Sequence, residues 1–189
     1  AASRLPVLLE GLEGAFDEKH FLPAGLAVVS HLAHHLAFER VSLGLLRGQR
    51  VELVALSDSP SVSRRTSFSR ALEQAMTEAI EANTLVIHPG QSGTIAHQAL
   101  AQRGDALAIC SLPLRHNGNA FAVLTFERVA ERPLDAESVQ LCIAIGAVLG
   151  PILNLKLRQD RPWWSRSSES LIGHRSERRA TFARVFGLI

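Results

Sequence analysis

Ala106-Leu-Ala-Ile-Cys110-Ser-Leu-Pro-Leu-Arg115-His-Asn-Gly118-Asn-Ala120-Phe-Ala-Val-Leu-Thr125-Phe-Glu-Arg128 is the stretch that decides the fold. Asn117-Gly118 stands between two apolar runs, and both residues tolerate a positive φ, so the segment predicts a tight hairpin. Its strands are expected over 106–115 and 120–128, with the turn at 116–119. A second hairpin is expected upstream, with strands 41–46 and 51–57 around Arg47-Gly48-Gln49-Arg50. Between the hairpins lies a helix that starts at Ser67 or Ser69 and runs to Ala82, where Asn83 ends it. A short strand over 85–87, the loop Pro89-Gly90-Gln91-Ser92-Gly93 and a helix over 95–102 follow, the last capped by Thr94 and closed by Gly104.

One longer helix flanks this block on each side. Leu22, Leu26, Val29, Leu32, Ala33 and Leu36 recur at three- and four-residue steps, with Pro23 suited to the first turn. Asp135 opens the final helix, expected to reach Asp160 and to bend at Pro151 near Ala147. The order is α-ββ-α-β-α-ββ-α. It predicts an α+β domain: one antiparallel sheet of about five or six strands with helices on both faces. The first and last helices should share one face, and the shorter helices the other.

The 189 residues divide into a lead-in (1–21, with a short helix over 5–16), a domain (22–160) and a tail (161–189). With 47% hydrophobic and 20% charged residues the chain reads as globular. A net charge of +2 gives no reason to expect nucleic-acid binding. Cys110 and Cys142 lie inside apolar runs and read as buried, reduced thiols of a cytosolic protein. No signal peptide and no apolar run long enough to cross a bilayer is read. The chain opens on Ala-Ala-Ser and closes on Phe186-Gly-Leu-Ile189, which reads as a piece of a longer protein.

Leu141, Ile145, Val148, Ile152 and Leu155 make a heptad-spaced seam on the last helix. Packing on its own sheet and pairing with a second copy both fit it. A homodimer through the first and last helices is therefore expected.

The layout and several strings of this chain resemble a GAF domain over about 22–158. They are the alanine-rich first helix, Phe38-Glu39-Arg40-Val41-Ser42-Leu43-Gly44, Leu124-Thr125-Phe126-Glu127-Arg128 and Leu134-Asp135-Ala136-Glu137-Ser138. Further strings resemble the cytoplasmic GAF domain of HlyD-like membrane-fusion (periplasmic adaptor) proteins. These are Arg40-Val41-Ser42-Leu43-Gly44-Leu45, Leu53-Val54-Ala55-Leu56-Ser57-Asp58, Ala75-Met76-Thr77-Glu78-Ala79, Ala96-His97 and Ser111-Leu112-Pro113-Leu114. That resemblance implies a cytoplasmic domain ahead of a single transmembrane helix, in a protein of an export system. The adaptor region itself is not in these residues. The tail suits this placement: Trp163-Trp164 fits a membrane interface, and seven arginines lie between Arg158 and Arg184. Phe182, Val185, Phe186 and Ile189 would form one apolar helical face.

The resemblance implies a small ligand, of unknown identity, bound between the sheet and the helices over 68–102. Ser42, Ser57, Asp58, Glu78 and His97 are the candidate polar groups, with Met76 and Cys110 as apolar lining. No cofactor is expected. The Asn-Lys, Phe and Asp-Glu signature of cyclic-nucleotide-binding members is missing. Ala96 and Gln98 flank His97, so a bilin has no attachment thiol, and His88 or His97 alone is a weak case for haem. His31 and His35 lie one helical turn apart, but no acid or thiol nearby in sequence completes a metal site. No catalytic residues are expected: Cys110 and Cys142 sit in a strand and an apolar helix, a poor setting for thiolate chemistry, and no Gly-x-Ser-x-Gly elbow occurs. The expected function is a non-catalytic sensory or regulatory domain. A ligand-free dimerisation module is the alternative, and an enzyme like free methionine sulfoxide reductase is a more distant one.

Overall fold

The structure, a computed structural model, describes residues 13, 17–57, 66–90, 94–103, 106–129 and 134–160. The helix expected over 5–16 (residue 13 apart), Asp58, and the tail over 161–189 with its tryptophans and apolar face lie outside the described residues.

In chain order the elements are α1 (Phe21–Leu36), β1 (Arg40–Arg47), β2 (Arg50–Leu56), α2 (Ser67–Ala82), β3 (Val86–His88), α3 (Ile95–Ala101), β4 (Ala106–His116), β5 (Asn119–Val129) and α4 (Ala136–Asp160). The described strands form one antiparallel five-stranded sheet in the order β2-β1-β5-β4-β3. The β4–β5 turn is as its sequence demands, with Asn117 at φ 50° and Gly118 at φ 80°. Pro113 sits in β4 opposite Val123 of β5 and beyond the three residues that β3 pairs with, where no neighbour on the β3 side needs its missing N–H.

Two hydrophobic cores lie on opposite faces of the sheet. The first packs Phe21, Val28, Val29 and Leu32 of α1 and Cys142, Ile145, Leu149 and Leu153 of α4 against Val41, Leu43, Leu114, Leu124 and Phe126. The second packs Leu72, Ala75, Met76 and Ala79 of α2 and Leu100 of α3 against Val51, Leu53, Ile109 and Val123. The long helices thus share one face and the short helices the other, as expected. A bulge between Leu43 and Gly44 resets the side-chain alternation of β2, so Leu53 faces α2 while Ala55 faces α1. Gly44 is required here: a Cβ would meet Val51 Cγ1, and Met76 Sδ at 2.6 Å.

The helix ends differ in places from the sequence reading. Thr66, not Ser67 or Ser69, caps α2, its Oγ1 accepting from Ser69 N at 3.0 Å. Asp135 caps α4 as expected, accepting from Ser138 N at 2.8 Å. Pro151 lies inside a segment that is helical on both sides of it. The seam divides: Ile145 is buried, Leu141 and Ile152 are half-buried, and Val148 and Leu155 are exposed. By length and composition α4 is also the one described helix apolar enough to cross a membrane, a correction to the sequence reading. Its inward side is nevertheless part of the first core.

α2 also leans across the outer edge of the sheet. Thr77 Oγ1 accepts from Val51 N at 3.2 Å and Glu73 Oε1 from Leu53 N at 3.0 Å, so these edge amides of β2 are satisfied by side chains. At the other end of the fold Asp160 accepts from Phe21 N at 2.7 Å and pairs with His20 Nδ1 at 2.8 Å, fastening the end of α4 to the start of α1.

Candidate functional site

The site begins with strand register. Ser42 pairs with Thr125, and Thr125 with Ser111, so three hydroxyl residues stand side by side across β1, β5 and β4. Direct cross-strand partners share a face, and here it is the α2/α3 face. Ser111 Oγ lies 2.9 Å from Thr125 Oγ1, and the Ser42 hydroxyl donates to the Thr125 carbonyl at 3.5 Å.

α3 supplies the next group. His97 is wholly enclosed, with Nε2 2.9 Å from Ser111 Oγ and Nδ1 2.6 Å from Glu78 Oε2. Glu78 comes from α2 and also accepts from Ala96 N at 3.1 Å and His97 N at 3.2 Å. It therefore satisfies first-turn amides of α3, whereas the Thr94 side chain, expected to do so, makes no cap bond.

These contacts fix the protons. Burial pushes the Glu78 carboxyl up, but the bonds from the His97 ring and the two amides outweigh it and leave it below the ordinary carboxylate range. Burial pulls the His97 imidazole below the ordinary histidine range; the Glu78 carboxylate partly offsets this and the nearby His88 adds to it. A neutral His97 facing an ionised Glu78 carries its proton on Nδ1. Nε2 then accepts from Ser111, and Ser111 Oγ in turn accepts from Thr125. The atom order of carboxylate, imidazole and hydroxyl is that of a nucleophilic triad. Both Ser111 and His97 are fully buried, however, so no substrate reaches Oγ in this conformation.

The carboxylate end of the chain meets solvent. A cleft of about 780 Å³ lies between the start of β2, α2 and α3, lined by Glu78 with Arg50, Arg70, Glu73, Ile95 and Ala99 among others. Ile95, at 76% exposure, is the most open large apolar side chain among the described residues.

Of the ligand-site candidates that are described, only Glu78 lines this cleft, with His97 directly behind it. Ser42 belongs to the buried hydroxyl row. Met76 is fully buried in the second core with Leu72 and Leu100, its Sδ packed under Gly44. Ser57 closes the end of the first hairpin, its Oγ accepting from Val41 N at 3.2 Å. Cys110 is corrected outright: it points to the opposite face, into the first core beside Cys142. A hydrogen bond with the Cys142 thiol, and then burial, raise the Cys110 pKa, so this thiol is held protonated. Asp58 lies outside the described residues. Ser111 and Thr125 escaped the sequence reading, because a strand buried on both faces does not reveal which residues share a side. Among the described residues no group of three or more His, Cys, Asp or Glu is placed to hold a metal; the His35 ring lies 4.3 Å from that of His31, tilted to it, and 4.8 Å from that of His34, edge-on.

No family model matches the chain, and no curated protein does. Solved structures do match. The GAF domain of an Acinetobacter phosphoenolpyruvate-protein phosphotransferase superposes with a TM-score of 0.63 at 14% identity, covering 80% of this chain and 93% of that one. The corresponding domain from Coxiella burnetii gives 0.64 at 14% identity, covering 82% and 95%. Free methionine-R-sulfoxide reductase from Neisseria meningitidis, solved with its substrate, gives 0.60 at 15% identity, covering 81% and 89%. At such identities the likeness establishes the fold, and the fold is that of a GAF domain.

Proposed function

We propose that the chain is a non-catalytic sensory or regulatory domain that takes a small polar molecule in the cleft between β2, α2 and α3. The observation that carries this reading is the position of Glu78. Its carboxylate lines the cleft and at the same time holds the first turn of α3 and the ring of His97. A ligand that touches Glu78 therefore touches the joint between two helices and the sheet, and can favour one arrangement of them over another. The raised pKa and burial of Cys110 speak against thiolate chemistry. The sulfoxide reductases that share the fold do not alter that reading.

Native mass spectrometry of the purified chain against its denatured mass tests it. The expected result is extra non-covalent mass in the wild type that is lost in Ala99→Trp, which fills the cleft. No extra mass, and no thermal shift across a library of polar metabolites, would defeat the sensor reading.

The second reading is a ligand-free assembly module. It is favoured by Met76, Leu72 and Leu100 filling the space beneath the sheet, and by Leu22, Val148 and Leu155 standing 53%, 47% and 59% exposed on α1 and α4. Light scattering reads it directly, since a dimer dissociated by Val148→Glu with Leu155→Glu would support it. The HlyD-like strings extend either reading to a cytoplasmic position in a membrane-fusion protein, with the tail over 161–189 next to the bilayer. Flotation with anionic vesicles that is lost on deleting the tail is the expected outcome.

A further inference from the structure

We propose that His97 is a proton-operated latch on α3, and that its protonation opens the α3 wall of the cleft. The cleft half of this statement rests on the reading above; the latch itself does not.

The geometry supplies the latch. α3 is seven residues long, and four polar ties between it and the body converge at one point: Glu78 on the amides of Ala96 and His97, and the His97 ring between Glu78 and Ser111. A further tie, from Arg103 Nη1 to the Ser67 carbonyl at 3.3 Å, is at the surface. The apolar anchors are Leu100 and Ala101. The groups facing the imidazole from each packed element are Glu78 from α2, His88 from β3, Ser111 from β4 and, behind it, Thr125 from β5. Only Glu78 favours a charged ring. His88 opposes it, and a second proton on Nε2 would have to displace the Ser111 proton now donated to it. Ser111 Oγ could then accept from His97, but its own proton would lose its acceptor and could turn to Thr125 only if that hydroxyl reversed as well.

The sign follows. A proton is accepted more readily by His97 released to solvent than by His97 in place. The latched state is therefore favoured above the free-histidine pKa of about 6.5 and loses ground as pH falls below it. Glu78, also held below its ordinary range, weakens the latch in the same direction at lower pH.

The test is hydrogen–deuterium exchange of the full chain without ligand, at pH 7.5 and pH 5.5, corrected for intrinsic exchange. The linkage predicts that opening of the α3 amides, read at Gln98 and Gln102, increases from pH 7.5 to pH 5.5, by at most about tenfold, with β5 amides unchanged. His97→Gln should remove the pH dependence. A pH-independent α3 overturns the proposal, as does a response that persists in His97→Gln. Should His97→Gln not fold, the wild-type histidine ¹H–¹⁵N spectrum decides. An Nδ1–H tautomer that titrates together with α3 opening supports the latch, and a ring that titrates freely with α3 closed refutes it. Mass spectrometry separates the two claims: an empty cleft with a pH-sensitive α3 sinks the sensor reading alone, and an occupied cleft with a pH-insensitive α3 sinks the latch alone.

Discussion

Thr125 and Phe126 are neighbours in β5, and they look into different worlds. Phe126 faces α1 and α4, where the core is apolar and its ring lies 5.0 Å from that of Phe38. Thr125 faces α2 and α3, where an apolar surround encloses a chain of hydroxyls, an imidazole and a carboxylate. The first face holds its helices mainly by burial, with polar ties beside the core from Asp160 to the start of α1 and from Arg128 to Ser138 and the Leu36 carbonyl. The second fixes α3 by hydrogen bonds whose loss leaves buried polar atoms unmatched, so it is sensitive to the protonation and occupancy of a few atoms.

That contrast can be broken by mutation, most severely on the apolar face. Phe126→Ala should cost about 3–5 kcal/mol of global stability, as large-to-small changes in a packed core do, read by denaturant titration. Glu78→Ala should cost about 1–3 kcal/mol, because two α3 amides and a buried ring nitrogen lose their acceptor. Its signature is local, with exchange protection falling over 94–103 before the rest of the sheet. The wild type should lose the Glu78 contribution as pH drops below the ordinary carboxylate value, since a depressed folded pKa stabilises only above it; Glu78→Gln should flatten that dependence. Thr125→Val is isosteric and should cost about 1 kcal/mol, the worth of one hydrogen bond, with its effect concentrated in α3. The smallest effect is expected outside both faces. Ala37 ends α1 at φ 52°, a conformation that penalises a Cβ, so Ala37→Gly should stabilise by about 0.5–1 kcal/mol in a thermal melt.

How much of this was readable beforehand divides along the same line. Asn117-Gly118, Asn83 and Asp135 announce a turn and two helix ends because each performs a local job that few residues can do. α1 and α2 show their buried sides through their spacing. What spacing cannot show is parity in a strand covered on both faces: Cys110 and Ser111 are adjacent and both small, and only the pairing with β5 decides which one meets α3. The bulge after Leu43 is equally silent, yet it sends Ala55 to the face opposite Leu53. Glu78 and His97 could be named from their strings. Their joint with Ser111 depends on a register that no local pattern encodes.

The covered edge of β2 has a consequence for how this domain can be used. An extended peptide commonly joins a protein by adding itself as one more strand, matching the free amides of an outer strand. Here the side chains of Thr77 and Glu73 already occupy Val51 and Leu53, and the opposite edge, β3, offers only three residues. Recruitment by strand addition has little to grip at either end. Among the described residues, what remains for a companion to read is the helices, through the shape and chemistry of side chains rather than the uniform grammar of the backbone.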